Sequence, residues 1–121
     1  MSDTRWLPRV ALIQGGFYLA TGIWPLLDIG SFQDVTGPKT DLWLVRTVGV
    51  LVAVIGGVLL LAARRGRITD EIVVLAVGSA LGLAAIDVIF TMAGTISPVY
   101  LADAAAEVGL AVLWGWARLR R

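Results

Sequence analysis

The chain has 121 residues, of which 58% are hydrophobic and 16% are charged, and its net charge at pH 7 is +1. Soluble domains are roughly 45–50% apolar and roughly 25% charged, so this composition excludes an ordinary soluble domain and predicts a membrane protein. The chain contains no cysteine and no histidine, which excludes disulfides, thiol redox chemistry and the usual zinc and haem ligands. We therefore expect no metal and no cofactor, a lipid bilayer as the main partner, and no nucleic acid.

Four apolar segments follow one another along the chain, at about residues 8–27, 42–63, 72–93 and 99–117. Each is long enough to cross a hydrocarbon core of ~30 Å as a helix. The connections between them are short, which makes consecutive helices antiparallel neighbours. The sequence predicts an all-α fold, a four-helix transmembrane bundle of up-down-up-down topology, formed by a single integral membrane domain over residues 1–121.

The connection between the first two segments is predicted to be a polar loop. It runs from Asp28 to Asp41 and contains Gly30, Gly37 and Pro38. Glycine and proline interrupt helices, so this stretch should turn rather than continue a helix. In the next connection, which is charged, the side chain of Thr69 or Asp70 is expected to cap the third helix.

The basic residues predict the orientation in the membrane. Eight of the ten fall on one side of the predicted topology: Arg5, Arg9, Arg64, Arg65, Arg67, Arg118, Arg120 and Arg121. Since cytoplasmic loops carry an excess of Lys and Arg, we expect both termini in the cytoplasm of a bacterium, with the chain multi-pass in its inner membrane. Tryptophans near the segment ends, among them Trp114, are expected at the membrane interfaces.

Ionisable residues inside the apolar segments are the strongest indication of a function. Asp87 interrupts the third segment, Asp103 and Glu107 lie in the fourth, and Arg46 lies near the outer end of the second. A carboxylate in hydrocarbon costs roughly several kcal/mol unless it is neutral, paired or in contact with water. Asp87 and Glu107 lie ~10 Å and ~14 Å below the turn that joins their helices, so they should line one cavity.

Three interpretations of this cluster remain open. In a structural one, Arg46 pairs with Asp87 or Glu107, and Gln14 and Tyr18 complete the hydrogen bonds that fix helix register. In a functional one, three acids against one arginine form an outward-facing pocket that favours a cation. In a third, the fourth segment lies at the membrane surface and its acids are merely interfacial. The predicted ligand-binding set is Asp87, Glu107, Asp103, Arg46, Gln14, Tyr18 and Tyr100.

Two stripes of small residues predict close helix packing. The stripe on the second segment comprises Gly49, Ala53, Gly56 and Gly57, and that on the third comprises Ala76, Gly78, Ala80 and Gly82. Small residues let helix backbones approach closely, and packing within one chain is the favoured use of both stripes. A homodimer face is the alternative.

Several stretches resemble small uncharacterised bacterial four-helix inner-membrane proteins. They begin at Trp24-Pro25-Leu26 and continue through residues 31–32, 35–39, 41–49 and 96–103, with Glu107. The resemblance implies the fold and the membrane location but no activity. Small multidrug resistance transporters have a similar length but carry a cation-binding glutamate in their first helix, where this chain has Gln14.

These observations lead to a functional hypothesis. We expect a small integral membrane protein that binds or moves a small molecule, with a cation favoured, in a polar pocket in the outer half of the bundle. The alternative is a structural accessory subunit of a larger membrane complex. An intramembrane enzyme that uses the two acids is a third class, but the chain has no recognisable nucleophile motif.

Overall fold

A computed structural model describes residues 6–119, which form five α-helices. Their bounds are α1 Trp6–Leu27, α2 Ile29–Thr36, α3 Leu42–Arg65, α4 Asp70–Met92 and α5 Tyr100–Leu119. The all-α prediction is confirmed. The predicted number of helices is wrong, because the connection that was expected to be a loop contains α2.

Local capping explains why α2 forms in spite of its glycine. The Asp28 carboxylate accepts a hydrogen bond of 3.1 Å from the backbone N–H of Ser31, which satisfies a donor of the first turn. The indole N–H of Trp24 donates to Ser31 Oγ at 2.8 Å and ties α2 to the end of α1. The helix ends at Gly37, whose φ of +99° is open to glycine but strained for other residues. These side-chain contacts outweigh the turn signals in the sequence.

Three helices, α1, α3 and α4, are long and apolar enough to cross a membrane. Helix α5 has 20 residues but contains Asp103, Glu107 and Arg118, and it does not belong to this group. Large apolar side chains cover the outer faces of α3 and α4, for example Val54, Leu61, Val74 and Ile89. An exposed surface of this kind suits lipid, as a soluble monomer rarely exposes so large an apolar area.

Helices α1 and α3 form a closely packed antiparallel pair. A Cβ atom added to Gly22 would lie 2.6 Å from the carbonyl oxygen of Gly49, and one added to Gly56 would lie 2.7 Å from that of Gly15. No side chain fits at these crossings, so glycine is required for the backbones to approach. The predicted use of the α3 stripe for packing within the chain is confirmed at Gly49 and Gly56.

The stripe on α4 behaves differently. Ala76 and Ala80 are fully buried, but Gly78 and Gly82 are exposed, and a Cβ at either would have no described atom within 4 Å. The prediction that the whole stripe packs within the chain is therefore wrong for the two glycines. Successive residues of a helix lie about 100° apart around its axis. Gly78 and Gly82 therefore lie on a different face of α4 from Ala76 and Ala80, which point into the bundle.

A hydrophobic cluster closes the end of the bundle near the termini, which we call the terminal end. It contains Leu7, Val10, Ala11, Leu59, Ala63, Ala76, Trp114 and Ala117. Trp6 packs edge-on against Trp116 with the ring centroids 4.9 Å apart. Arg118 pairs with Asp70 at 2.9 Å, the single ion pair seen within residues 6–119. The Trp114 ring is fully buried in this cluster, so it contacts protein on all sides.

The α1–α3 crossing provides a direct stability test. Substituting Gly56 by alanine places a Cβ 2.5 Å from the backbone nitrogen of Leu19, so the two helices must separate. We expect a loss of about 1–3 kcal/mol in unfolding free energy, measured by denaturant titration in detergent micelles. Gly57→Ala is the matched control, because a Cβ there meets nothing within 4 Å. Equal stability of the two variants would contradict the described crossing.

Candidate functional site

A cavity of about 650 Å³ lies at the other end of the bundle, which we call the α2 end. All five helices contribute to its lining. Its α3 wall is apolar throughout and consists of Leu44, Val45, Val48, Gly49 and Val52. The volume lies within the range of roughly 300–1,000 Å³ that is usual for small-molecule sites, which are likewise mostly apolar with a few polar groups.

The polar wall of the cavity is formed by α4 and α5. Asp87 comes from α4, and Asp103 and Glu107 come from α5, one turn apart. The three carboxyl groups are close enough to interact electrostatically with one another. Asp87 and Glu107 therefore line one cavity, with Asp103 beside them, and together they place three carboxyl groups on a single wall.

The two deepest acids keep unused hydrogen-bonding capacity. Asp87 is 5% exposed and Glu107 is 1% exposed, yet Asp87 Oδ2 and Glu107 Oε1 have no hydrogen-bond partner among the described residues. The other carboxylate oxygen of Glu107 accepts a hydrogen bond of 3.0 Å from the hydroxyl of Tyr18, which also lines the cavity. Buried polar atoms are nearly always paired, so two unpartnered carboxyl oxygens on residues that line one cavity are an exception that calls for a partner.

Gln14 lies beneath the cavity and does not line it, contrary to its predicted role as a wall. Its side-chain Oε1 accepts a hydrogen bond of 2.6 Å from the indole N–H of Trp114, and its Nε2 donates to the carbonyl of Ala76 at 2.9 Å. Gln14 is fully buried. It separates the cavity from the hydrophobic cluster and connects α1 to α4 and α5.

Arg46 is not the counter-ion of the acids, contrary to the structural interpretation. Its side chain is exposed, and within residues 6–119 it makes no ion pair with Asp87 or Glu107. The position of Arg46 around the axis of α3 explains why the predicted pairing was wrong. Val45 and Gly49 face the cavity, and Arg46, about 100° further round the helix than Val45, points away from it.

Lys39 contributes a positive charge that sequence reasoning did not assign to the site. It lines the cavity near Tyr100, and its Nζ lies 5.2 Å from the centre of the Tyr100 ring. Nζ donates hydrogen bonds to Thr36 O, Thr36 Oγ1 and Gly37 O at 3.1, 3.2 and 2.8 Å. The only sequence signal was that Lys39 is a lone basic residue in a connection otherwise free of basic side chains.

No protein-family model, curated protein or solved structure matches this chain.

The Gln14 network gives a second testable prediction. Gln14→Leu leaves the indole N–H of Trp114 buried without an acceptor, which costs about 1–3 kcal/mol. Trp114→Phe removes that donor, so it should cost less in the Gln14→Leu background than in the wild type. A double-mutant cycle of unfolding free energies in micelles measures this coupling. Strictly additive losses would show that the Gln14–Trp114 bond contributes nothing to stability.

Proposed function

We propose that this protein binds a small organic cation from the α2 end of its bundle. The observation that carries the proposal is the pair of buried carboxyl groups, Asp87 and Glu107, each with an unpartnered oxygen at an apolar cavity. A cation with an apolar body suits both features, because its charge pairs with the acids while its body lies against the valines and leucine of α3.

The charge balance of the cavity supports a cation over an anion. Its lining includes Asp87, Asp103 and Glu107 but one basic side chain, that of Lys39. The Lys39 ammonium already has three oxygen acceptors next to α2, so it is engaged away from the deepest acids. Membrane-embedded acids without a counter-ion typically belong to a binding site or an ion pathway.

Binding is better supported than transport. The hydrophobic cluster fills the terminal end of the bundle and would block a solute that moved on from the cavity. In a transporter this cluster would have to open. Transport therefore requires a second conformation of the protein, whereas binding in the cavity does not.

In the proposed arrangement α1, α3, α4 and α5 all span the inner membrane of a bacterium, with both termini in the cytoplasm. Helix α5 has the length to span, and its acids face the cavity instead of lipid. The basic residues flanking the terminal end, such as Arg64 and Arg118, follow the rule that cytoplasmic ends are positive. The cavity then opens to the outer side.

A structural accessory role is the second candidate function. Gly78 and Gly82 form a smooth exposed face on α4 that no described residue covers. Such a face suits close approach of another transmembrane helix, either from a larger complex or from a second copy of this chain. This role does not explain the unpartnered acids, which is why ligand binding is preferred.

The orientation is tested by cysteine labelling, for which the absence of native cysteine is an advantage. Asp34 and Glu71 are both exposed and lie near opposite ends of the bundle. Acidic residues contribute little to membrane orientation, so replacing them should not invert the chain. We expect a membrane-impermeant maleimide to label Asp34→Cys but not Glu71→Cys in intact cells. The reverse pattern would place the cavity on the cytoplasmic side.

Ligand binding is tested with hexylamine as the probe, by equilibrium dialysis of the purified protein in detergent. Asp87→Asn and Glu107→Gln each remove a charge that contacts the cation, and we expect at least a tenfold loss of affinity, or about 1.4 kcal/mol. Protons compete with the cation for the carboxylates, so wild-type affinity should fall as the pH is lowered. This dependence should be weaker in Glu107→Gln.

The matched control for these variants is Glu71→Gln, which removes an exposed acid outside the cavity. It should leave hexylamine affinity unchanged. Wild-type protein that binds no hexylamine, or binding that is equal in all four proteins, would contradict the proposed function.

A further inference from the structure

Lys39 places its own ammonium in a small subsite at the α2 end of the cavity. The ammonium lies 5.2 Å from the centre of the Tyr100 ring and 5.9 Å from that of Phe32. Three oxygens accept its hydrogen bonds, two from Thr36 and one from the backbone of Gly37. Lysines are mostly exposed, but this one is half-buried. We call these rings and oxygens the ammonium subsite.

The chemistry of the subsite selects one class of cation. Aromatic faces attract any organic cation through their negative charge distribution. The three oxygens require N–H donors, and an –NH₃⁺ group has three while a quaternary ammonium has none. The ammonium subsite therefore suits a primary amine better than a trimethylammonium group of the same chain length.

The subsite lies on the way to the acids. Tyr100 begins α5, and Asp103 and Glu107 follow it by three and seven residues, or ~4.5 Å and ~10.5 Å along the helix axis. All three residues line the same cavity. A cation that enters from the α2 end thus meets the Tyr100 ring before it reaches Glu107.

We infer that the ammonium subsite is itself a binding site for the ammonium group of primary amines and that Lys39 is a built-in competitor, which the ligand must displace. This inference rests on the proposed function for the access of cations to the cavity, but the ammonium group that Lys39 excludes lies in the subsite and not at the acids. It adds the chemical class of the ligand and a residue that limits its affinity. A competitor tethered within the chain lowers the apparent affinity by the fraction of molecules in which it occupies the subsite.

The test compares hexylamine with hexyltrimethylammonium on the full chain in detergent. Lys39→Met removes the competing charge and keeps an apolar side chain of similar length. We expect about a tenfold gain in hexylamine affinity and a clearly smaller gain for the quaternary analogue. Lys39→Arg, which keeps a cation in the subsite, should bind hexylamine about as weakly as the wild type.

A second variant separates displacement from simple loss of positive charge. Tyr100→Leu removes one ring of the subsite. It should weaken hexylamine binding at least fivefold in the Lys39→Met background but little in the wild type, where Lys39 covers the ring. Equal gains for both ligands in Lys39→Met, abolished by high salt, would overturn the inference in favour of long-range electrostatics.

A measurement on the wild-type protein tests the inference without depending on correct folding of the variants. Lys39 is the only lysine of the chain, so ¹³Cε-labelled lysine reports on this side chain alone. Its signal should be shifted by the nearby rings and should move away from that position as hexylamine is added. A signal unchanged at saturating hexylamine would overturn the inference.

The two proposals fail separately. If Glu107→Gln abolishes hexylamine binding but Lys39→Met does not alter it, the proposed function stands and the competitor role is wrong. If Lys39→Met strengthens hexylamine binding while Asp87→Asn and Glu107→Gln leave it unchanged, the competitor role stands and the proposed function is wrong. If neither the wild type nor Lys39→Met binds hexylamine, both are wrong.

Discussion

Helices α4 and α5 pack against each other, and polar bonds from one face of α1 hold this pair against the α1–α3 pair. Gln14 joins α1 to α4 and α5 through Ala76 and Trp114, and Tyr18, one turn further along, bonds to Glu107 of α5. Hydrogen bonds between helices matter in a bilayer because apolar contacts with a neighbouring helix are little better than contacts with lipid. These bonds set how the α4–α5 pair is placed against α1, and so they set the shape of the cavity.

Packing on the two sides of α1 is unequal, and this inequality creates the cavity. Toward α3, glycines at four positions bring the backbones into contact. Toward α5, the buried side chains of Trp114 and Leu110 fill the space between the helices. At the α2 end, the lining instead includes small residues such as Ala102 and Ala106. The bundle is therefore closed at the terminal end and hollow beneath α2.

Burying Asp87 and Glu107 costs free energy, and hydrogen bonds within the described protein offset this cost only in part. Tyr18 satisfies one oxygen of Glu107, but the second oxygen and Oδ2 of Asp87 have no described partner. An arrangement that served stability alone would pair these atoms or replace the acids by apolar residues. A ligand group, as proposed above, would supply the missing partners. The ammonium of Lys39 lies near Tyr100 and Gly37 in the same cavity lining.

Hydropathy and charge were enough to predict the membrane location, the long helices and the acids that line the cavity. These properties depend on composition and on distance along the chain, which a sequence determines directly. Side-chain chemistry left Thr69 and Asp70 as candidate caps of α4, and the structure shows that the Thr69 hydroxyl accepts from Ile72 N. Sequence reasoning failed for Arg46, Gln14, Lys39 and α2. Whether Arg46 or Val45 faces inward depends on the rotation of α3 about its axis, and the path of residues 28–41 depends on contacts with α1 and α5. Only the tertiary structure decided these, because they arise from packing between segments distant in sequence.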